Sequence, residues 1–418
     1  MVYKLITLVV VALAALAVAQ LIKVYEISSK LNNKKQENIP DKDNRLNGFL
    51  MMLFMIFYFA SFIYLVYEYG WTGRGEAAST QGVETDWLLN LNLIIISVVF
   101  FLTNTLLFVF TYRYIRKPGV KAYYYPHNNK LELIWTMVPA LTLAVIIILG
   151  LKTWNEITTV AEKKAIRIEL FSKQFDWTAR YSGENNELGF FDYKLTIPQN
   201  ELALMTTETI DTAILYMEHG NADGTILGIK LMEKQLNDRT LMMLPEDREK
   251  MEKDFDRKSR LLRLLYQMKY RHDKKKDSKA YDDFIQKDTL HLLVNQEYEF
   301  NFRSKDVIHS AYFPHFRTQI NTVPGMTTRM KFTPNISTKD MRKKMNNKDF
   351  NYVLLCNKIC GGAHYKMKMI VKVDTKKEYS AWLKSKESFK DQFMKKNIVP
   401  TDTLQNIPAD TLKLVMNQ

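Results

Sequence analysis

The sequence predicts an α + β protein in which membrane-spanning helices precede a β-sandwich or barrel. Three observations carry that expectation. Long uncharged runs crowd the first 152 of the 418 residues, the remainder has ordinary globular composition, and short stretches of the second part alternate apolar and polar residues. A chain of this length accommodates a membrane part plus a globular domain, with the change of character near Thr153.

Four apolar runs, roughly Leu5 to Val24, Leu50 to Tyr69, Leu88 to Tyr112 and Leu133 to Trp154, reach the length of about 20 residues that a helix needs to cross a bilayer. Buried helices of a soluble core usually keep a polar stripe, and these runs have almost none. The first run resembles a signal peptide, with small residues from Ala15 to Ala19 behind an apolar stretch. Loop charge argues against cleavage. Ile22 to Asn47 carries Lys23, Lys30, Lys34, Lys35, Lys42 and Arg45, and Arg113 to Lys130 carries Arg113, Arg116, Lys117, Lys121 and Lys130, so both loops belong inside. Gly70 to Trp87 has Arg74 alone as a basic residue and belongs outside. A retained first helix with an outer N-terminus satisfies all of these loops and delivers the chain after Trp154 to the outer face.

Glu132 opens the fourth span. A carboxylate at a membrane edge either faces headgroups or marks the entrance of a proton path.

Beyond Trp154, period-two alternation with β-branched and aromatic residues predicts strands over Ala165 to Phe171, Glu297 to Arg303, Thr327 to Phe332, Tyr352 to Leu355 and Lys368 to Val373. Tyr298, Phe300 and Phe302 share one face of the second. A small antiparallel sandwich or barrel follows.

Between the last two strands runs Cys356-Asn357-Lys358-Ile359-Cys360-Gly361-Gly362-Ala363-His364-Tyr365-Lys366-Met367. Thiolate, imidazole and thioether form a soft donor set that selects copper over hard cations. Gly361 and Gly362 permit a tight loop. A second imidazole comes from Asp306-Val307-Ile308-His309-Ser310, beyond the strand that ends near Arg303. A zinc site of Cys356, Cys360, His309 and His364 uses the same atoms but leaves Met367 unexplained. Inert buried cysteines are the common reading of either thiol alone. Cys356 and Cys360 are the whole thiol inventory, and their loop is too short for a disulfide to remove much chain entropy.

The spacing Cys-x3-Cys-x3-His-x2-Met, preceded by Asp-Val-Ile-His-Ser, resembles the binuclear copper A motif of cytochrome c oxidase subunit II. The resemblance runs from about Trp87 to Trp382 around one long insertion. It includes Glu132, Trp135, Thr136 and Pro139 in the fourth span and the turn at Pro324-Gly325. It implies a cupredoxin-like β-sandwich or barrel with a partly helical insertion. It further implies that two copper ions are bridged by Cys356 and Cys360 and completed by His309, His364, Met367 and the backbone carbonyl of Lys358. Glu132 would then mark the proton-path entrance.

Two departures stand out. The family usually has Glu at position 358, whose carboxylate helps hold magnesium against subunit I; Lys358 keeps the carbonyl and loses the carboxylate, so magnesium at that interface is not expected in its usual form. The family's Gln-Trp-x-Trp reads Gln174-Phe175-Asp176-Trp177 here, so Phe175 stands where relatives accept the electron. Phe175 and Trp177 are the candidate electron-entry aromatics, with core packing as the plain alternative for Trp177.

The expected organisation is two added helices over 1–70, a subunit II hairpin over 71–154 and a copper domain over 155–418, interrupted by an insertion at about 194–288. Extra lipid-facing helices gain little by length alone, so contacts with neighbouring subunits are their expected use. Within the insertion, Pro245, Glu246 and Asp247 open a helix with Lys274, Lys275 and Lys276 at its far end, and Leu261, Leu262, Leu264 and Leu265 offer a packing face.

The resemblance implies electron transfer from a c-type cytochrome to haem in subunit I, coupled to oxygen reduction and proton translocation in a bacterial inner membrane. The copper domain would face the periplasm, and the assembly could extend to a larger respiratory complex. The alternatives are a non-redox scaffold of quinol-oxidase type, which the intact donor set disfavours, and another copper A protein such as nitrous oxide reductase, which lacks the hairpin. Cys-x-x-Cys-His does not occur, so no covalently attached haem is expected on this chain. The net charge of +14 lies largely beside apolar runs or in one charged segment, so lipid and protein are the expected partners rather than nucleic acid.

Overall fold

A computed structural model describes residues 2–31, 40–70, 74–221 and 225–396. Lys34 and Lys35, which enter the loop-charge argument, lie outside the described residues. Among the described residues, those up to Arg74 together with Asn90–Thr142 form one compact unit, and Gly75–Leu89 with those from Leu143 onward form the other.

Helices α1 (Val2–Leu31), α2 (Asp41–Tyr69), α3 (Thr80–Arg113) and α4 (Asn129–Thr158) contain the four apolar runs and extend each by several residues. All four are long and apolar enough to cross a membrane. In the first unit α2 packs along α3 through aromatic rings. Phe62 stacks on Phe100 at 4.7 Å, Phe59 meets the edge of Phe101 at 4.8 Å, and Phe54 lies 5.8 Å from Phe108. Gly48 fits the close approach, because a Cβ there would lie 3.2 Å from Ile115. One added helix therefore has an intramolecular partner, where the sequence suggested neighbouring subunits.

The second unit contains β1 (Ile166–Lys173), β2 (Asp176–Tyr181), α5 (Thr207–His219), α6 (Ile229–Asn237), α7 (Pro245–Arg271), α8 (Ser278–Tyr281), β3 (Phe284–Lys287), β4 (Thr289–Leu293), β5 (Tyr298–Ser304), β6 (His309–Phe313), β7 (Thr318–Thr322), β8 (Thr328–Phe332), α9 (Thr338–Lys344), β9 (Tyr352–Cys356), β10 (Lys368–Asp374), α10 (Lys376–Leu383) and α11 (Phe389–Lys396). Two five-stranded sheets, ordered β3-β2-β1-β5-β8 and β4-β10-β9-β6-β7, make the β-sandwich that the sequence predicts. Its core gathers Tyr298, Phe300, Phe302, Phe313, Phe316 and Phe332, all fully buried. Alternation along β5 puts its aromatics on one face, and Phe300 stacks on Phe332 at 4.9 Å.

The sheets are mixed rather than purely antiparallel. β1 pairs with β5, and β4 with β10, in parallel. Parallel neighbours need long connections, and the insertion supplies one between β1 and β5. Strands β2, β3, β4, β6 and β7 were not expected. Most are short, and β3 and β4 alternate too briefly to stand out from loop sequence.

The insertion has its own core. Leu195, Ile197, Ile210, Ala213, Ile214, Met217 and Leu265 are buried together, with Leu261 and Leu262 packed against them. Leu264 remains 39% exposed, so the leucine run divides between the core and solvent. α7 begins at Pro245 as expected but stops at Arg271, and Lys274, Lys275 and Lys276 form a separate single turn.

Candidate metal centre

Antiparallel pairing aligns Ala311 of β6 with Cys356 of β9, and Lys368 of β10 with Leu355 of β9. The start of β6, the end of β9 and the approach to β10 thus meet at one rim. Backbone bonds fix the corner: Cys356 N–H donates to the Met367 carbonyl at 3.1 Å and Asn357 N–H to the Ser310 carbonyl at 3.1 Å.

The donor atoms converge there. Sγ of Cys356 lies 3.8 Å from Sγ of Cys360 and 3.8 Å from Nδ1 of His309. Sγ of Cys360 lies 3.5 Å from Nδ1 of His364 and 3.9 Å from Sδ of Met367. The Lys358 carbonyl oxygen is 3.2 Å from Sγ of Cys356. His309, Cys356, Cys360 and Met367 are buried, and His364 is half-buried. Two thiols between two imidazoles and a thioether, drawn from segments far apart in sequence, fit soft metal ions that share the sulfurs. Hard cations would find one carbonyl and no carboxylate among these donors.

Polar groups at the rim hold the donors in place. Nε2 of His309 lies 2.8 Å from Oδ1 of Asp306. Oδ2 of Asp306 accepts from the Gln174 backbone N–H at 2.7 Å, and the Gln174 side chain donates to the Cys360 carbonyl at 2.5 Å. Burial raises the Asp306 carboxyl, but the Gln174 N–H and His309 outweigh it and hold the group below its usual range. Burial, then the neighbouring Cys356 thiol, pushes Cys360 up to about 11. A metal arriving here must displace protons.

Phe175 and Trp177 occupy different environments. Phe175 is half-buried, and its ring lies so near Gly361 that a Cβ there would approach its Cζ to 2.9 Å, so glycine is required by this contact as well as by its φ of 136°. Trp177 is fully buried in the sandwich core, with its ring centroid 6.3 Å from that of His309. The Lys358 side chain is exposed. Glu132 lies in the other unit, in the first turn of α4, where its carboxylate accepts from the Asn128 backbone N–H at 3.4 Å.

Asp306 and Gln174 stand in the quoted motifs, yet their supporting roles were not read from them. The three-residue offset from Asp306 to His309 was the available signal for one, whereas Gln174 depends on the fold to reach Cys360.

Residues 68–153 match the family model described as "Cytochrome C oxidase subunit II, transmembrane domain". The chain is 24% identical over 304 residues to the "Alternative cytochrome c oxidase subunit 2" of Bradyrhizobium diazoefficiens, covering 70% of this chain and 79% of that protein. It is 22% identical over 314 residues to the "Cytochrome c oxidase subunit 2" of Cereibacter sphaeroides, covering 75% of this chain and 80% of that one. Among solved structures, the periplasmic domain of subunit II of cytochrome oxidase from Bradyrhizobium japonicum aligns with a TM-score of 0.26 at 14% identity, over 54% of this chain and 96% of that one. The hairpin segment thus matches the subunit II transmembrane family, and the chain is similar to cytochrome c oxidase subunits 2 over most of both chains.

Proposed function

We propose that the outer domain holds a binuclear copper A centre at which electrons enter a haem-copper oxidase. The observation that carries this reading is the convergence of Cys356, Cys360, His309, His364 and Met367 at one rim of the sandwich. Cys356 and Cys360 would hold the copper through their thiolates, His309 and His364 through their imidazoles, and Met367 and the Lys358 carbonyl would complete the donor set. Copper bound there supplies one-electron redox chemistry.

The protein's part is to fix that donor set. The β6–β9 pairing holds His309 against Cys356, Asp306 sets the orientation of the His309 ring, and Gln174 ties the Cys360 backbone to the β1–β2 turn. The burial of Cys356, Cys360, His309 and Met367 against the sandwich core gives a rigid frame of ligands. A zinc site of the same cysteines and histidines leaves the buried thioether of Met367, 3.9 Å from Cys360, without a purpose.

As the electron-entry subunit, the chain works with subunit I and other oxidase subunits, with a c-type cytochrome as donor. Its setting is a bacterial inner membrane, with the N-terminus and copper domain on the periplasmic side. The first two helices are additions to the hairpin, and the segment at about 194–288 is an insertion in the copper domain.

Metal analysis and optical spectroscopy of the full chain purified from its native membrane test the proposal. Two coppers per chain, lost in Cys356→Ser because a hydroxyl cannot replace a soft bridging thiolate, are expected. Stoichiometric zinc without copper overturns it.

A further inference from the structure

The loop that joins α3 to α4 carries a charge and a surface that the metal centre does not use. Positions 113–130 hold Arg113, Arg116, Lys117, Lys121 and Lys130 and no Asp or Glu. Among the described residues none of these cations has an ion pair. The loop also exposes aromatic rings: Tyr123 and Tyr124 are each 86% open to solvent, and Tyr114 is exposed as well. Positive charge by itself would orient the spans, but consecutive tyrosines in water add nothing to that. The two features together ask for a common partner.

Specific contacts shape the loop. The Asn44 side chain of α2 donates to the Arg116 carbonyl at 3.3 Å, next to the contact between Ile115 and Gly48. Lys117-Pro118-Gly119-Val120 closes as a turn, with the Val120 N–H donating to the Lys117 carbonyl at 3.3 Å and Gly119 at a φ of 75°, where a side chain would be strained. The rings of Tyr123 and Tyr125 lie 5.7 Å apart. Because α3 and α4 are both long and apolar enough to cross a membrane, the chain between them leaves and re-enters one face at the depth of the lipid headgroups. A phenol suits that depth, with an apolar body and a polar tip. Guanidinium and ammonium groups suit the phosphates found there.

We propose that the α3–α4 loop is a binding site for the headgroup of an anionic phospholipid, with Arg116, Lys117 and Lys121 on the phosphate and Tyr123 and Tyr124 at the boundary between headgroups and acyl chains. A free phosphate would use the charge and leave the tyrosines without a partner, so lipid is the occupant that answers both features. A lipid held here fixes the depth at which α4 begins, close before Glu132. The proposal rests on α3 and α4 as membrane spans. It needs neither the copper centre nor a given side of the membrane.

Native mass spectrometry of the full chain in detergent, mixed with equal amounts of dioleoylphosphatidylglycerol and dioleoylphosphatidylcholine, tests this, because the two lipids differ only in the headgroup. Retention of phosphatidylglycerol about tenfold above phosphatidylcholine is expected. Arg116→Gln, Lys117→Gln and Lys121→Gln combined should bring the ratio to within about twofold of unity. Lys274→Gln, Lys275→Gln and Lys276→Gln combined, an equal loss of charge at exposed sites in the other unit, should keep it. Tyr123→Ser with Tyr124→Ser should weaken retention of both lipids. Equal retention of the two lipids by the wild type, a preference that survives in the loop variant or is lost equally in the control variant, or unchanged retention in the tyrosine variant overturns the proposal. Loss of the preference in millimolar inorganic phosphate would assign the patch to a free anion, and a carbodiimide cross-link in native membranes from Lys121 to a carboxylate of another protein would assign it to a protein partner. Either result also overturns it.

Discussion

The Nε2 of His309 lies 2.8 Å from the Oδ1 of Asp306, which leaves Nδ1 of the same ring facing Cys356 at 3.8 Å. In the proposed centre the carboxylate would hold the ring's tautomer and make Nδ1 the better donor to a metal. Outer partners of this kind typically change metal affinity by about 10- to 100-fold when removed. Asp306→Ala should lower copper affinity within that range, and Asp306→Asn, which keeps a hydrogen-bonding side chain, should lower it less. Competition titration with a copper chelator measures both; equal affinities in wild type and Asp306→Ala would return Asp306 to a purely structural role.

Lys358 separates two sites that a glutamate would serve together. Its carbonyl remains near Cys356 at 3.2 Å, while its ammonium is exposed and has only donors. We expect a normal copper centre with either no magnesium at the subunit I interface or an ion pair from Lys358 to a subunit I carboxylate. A structure of the assembled oxidase with magnesium held by the usual subunit I ligands and another carboxylate of this chain would contradict this.

Glu132 accepts from the Asn128 N–H at 3.4 Å, a weak contact in the first turn of α4. Glu132→Gln should slow proton-coupled turnover while sparing copper loading. Turnover equal to wild type under conditions limited by proton uptake would assign this side chain to the helix end alone.

Glu169 is fully buried between Arg180 and Arg303 in the sandwich. Burial alone would raise its carboxyl, but the two guanidiniums outweigh it and bring the value down to about 2. Because the folded value is depressed, the contribution is present above the unfolded value and is lost as pH falls from about 4.5 towards 2, amounting to about 3 kcal/mol. Urea unfolding of the full chain in detergent should show that loss in wild type. Glu169→Gln should cost about 3–5 kcal/mol at neutral pH, because it leaves buried guanidiniums uncompensated. It should also flatten the acid dependence.

Loop charge assigns the 113–130 segment to the inner face and the sandwich to the outer one. In a chain whose own cysteines are replaced, an impermeant thiol reagent added to intact cells should label Lys253→Cys and spare Lys121→Cys. The reverse pattern would invert the four-span arrangement.

Much of the membrane part was legible because lipid imposes a one-dimensional constraint: a run either is apolar for about 20 residues or cannot span. Where the spans pack was not legible. The rings of α2 and α3 look like any lipid-facing aromatics until Phe62 is found on Phe100. The Cys356–Met367 loop offered a soft donor set locally, since most of its candidate donors lie within twelve residues, and His309 stood in its own motif upstream.

The sequence by itself determined the membrane runs, the strand-forming aromatics of β5 and the identity of the donor atoms, because hydrophobic length, alternation and ligand chemistry are properties of neighbouring residues. Only the tertiary structure decided the parallel pairing of β1 with β5, the Asp306 and Gln174 supports and the insertion's separate core. The physical reason is register. Periodicity tells which face of a strand is buried, but the choice of partner strand, and with it the meeting of residues more than a hundred positions apart, is set by how the whole core closes.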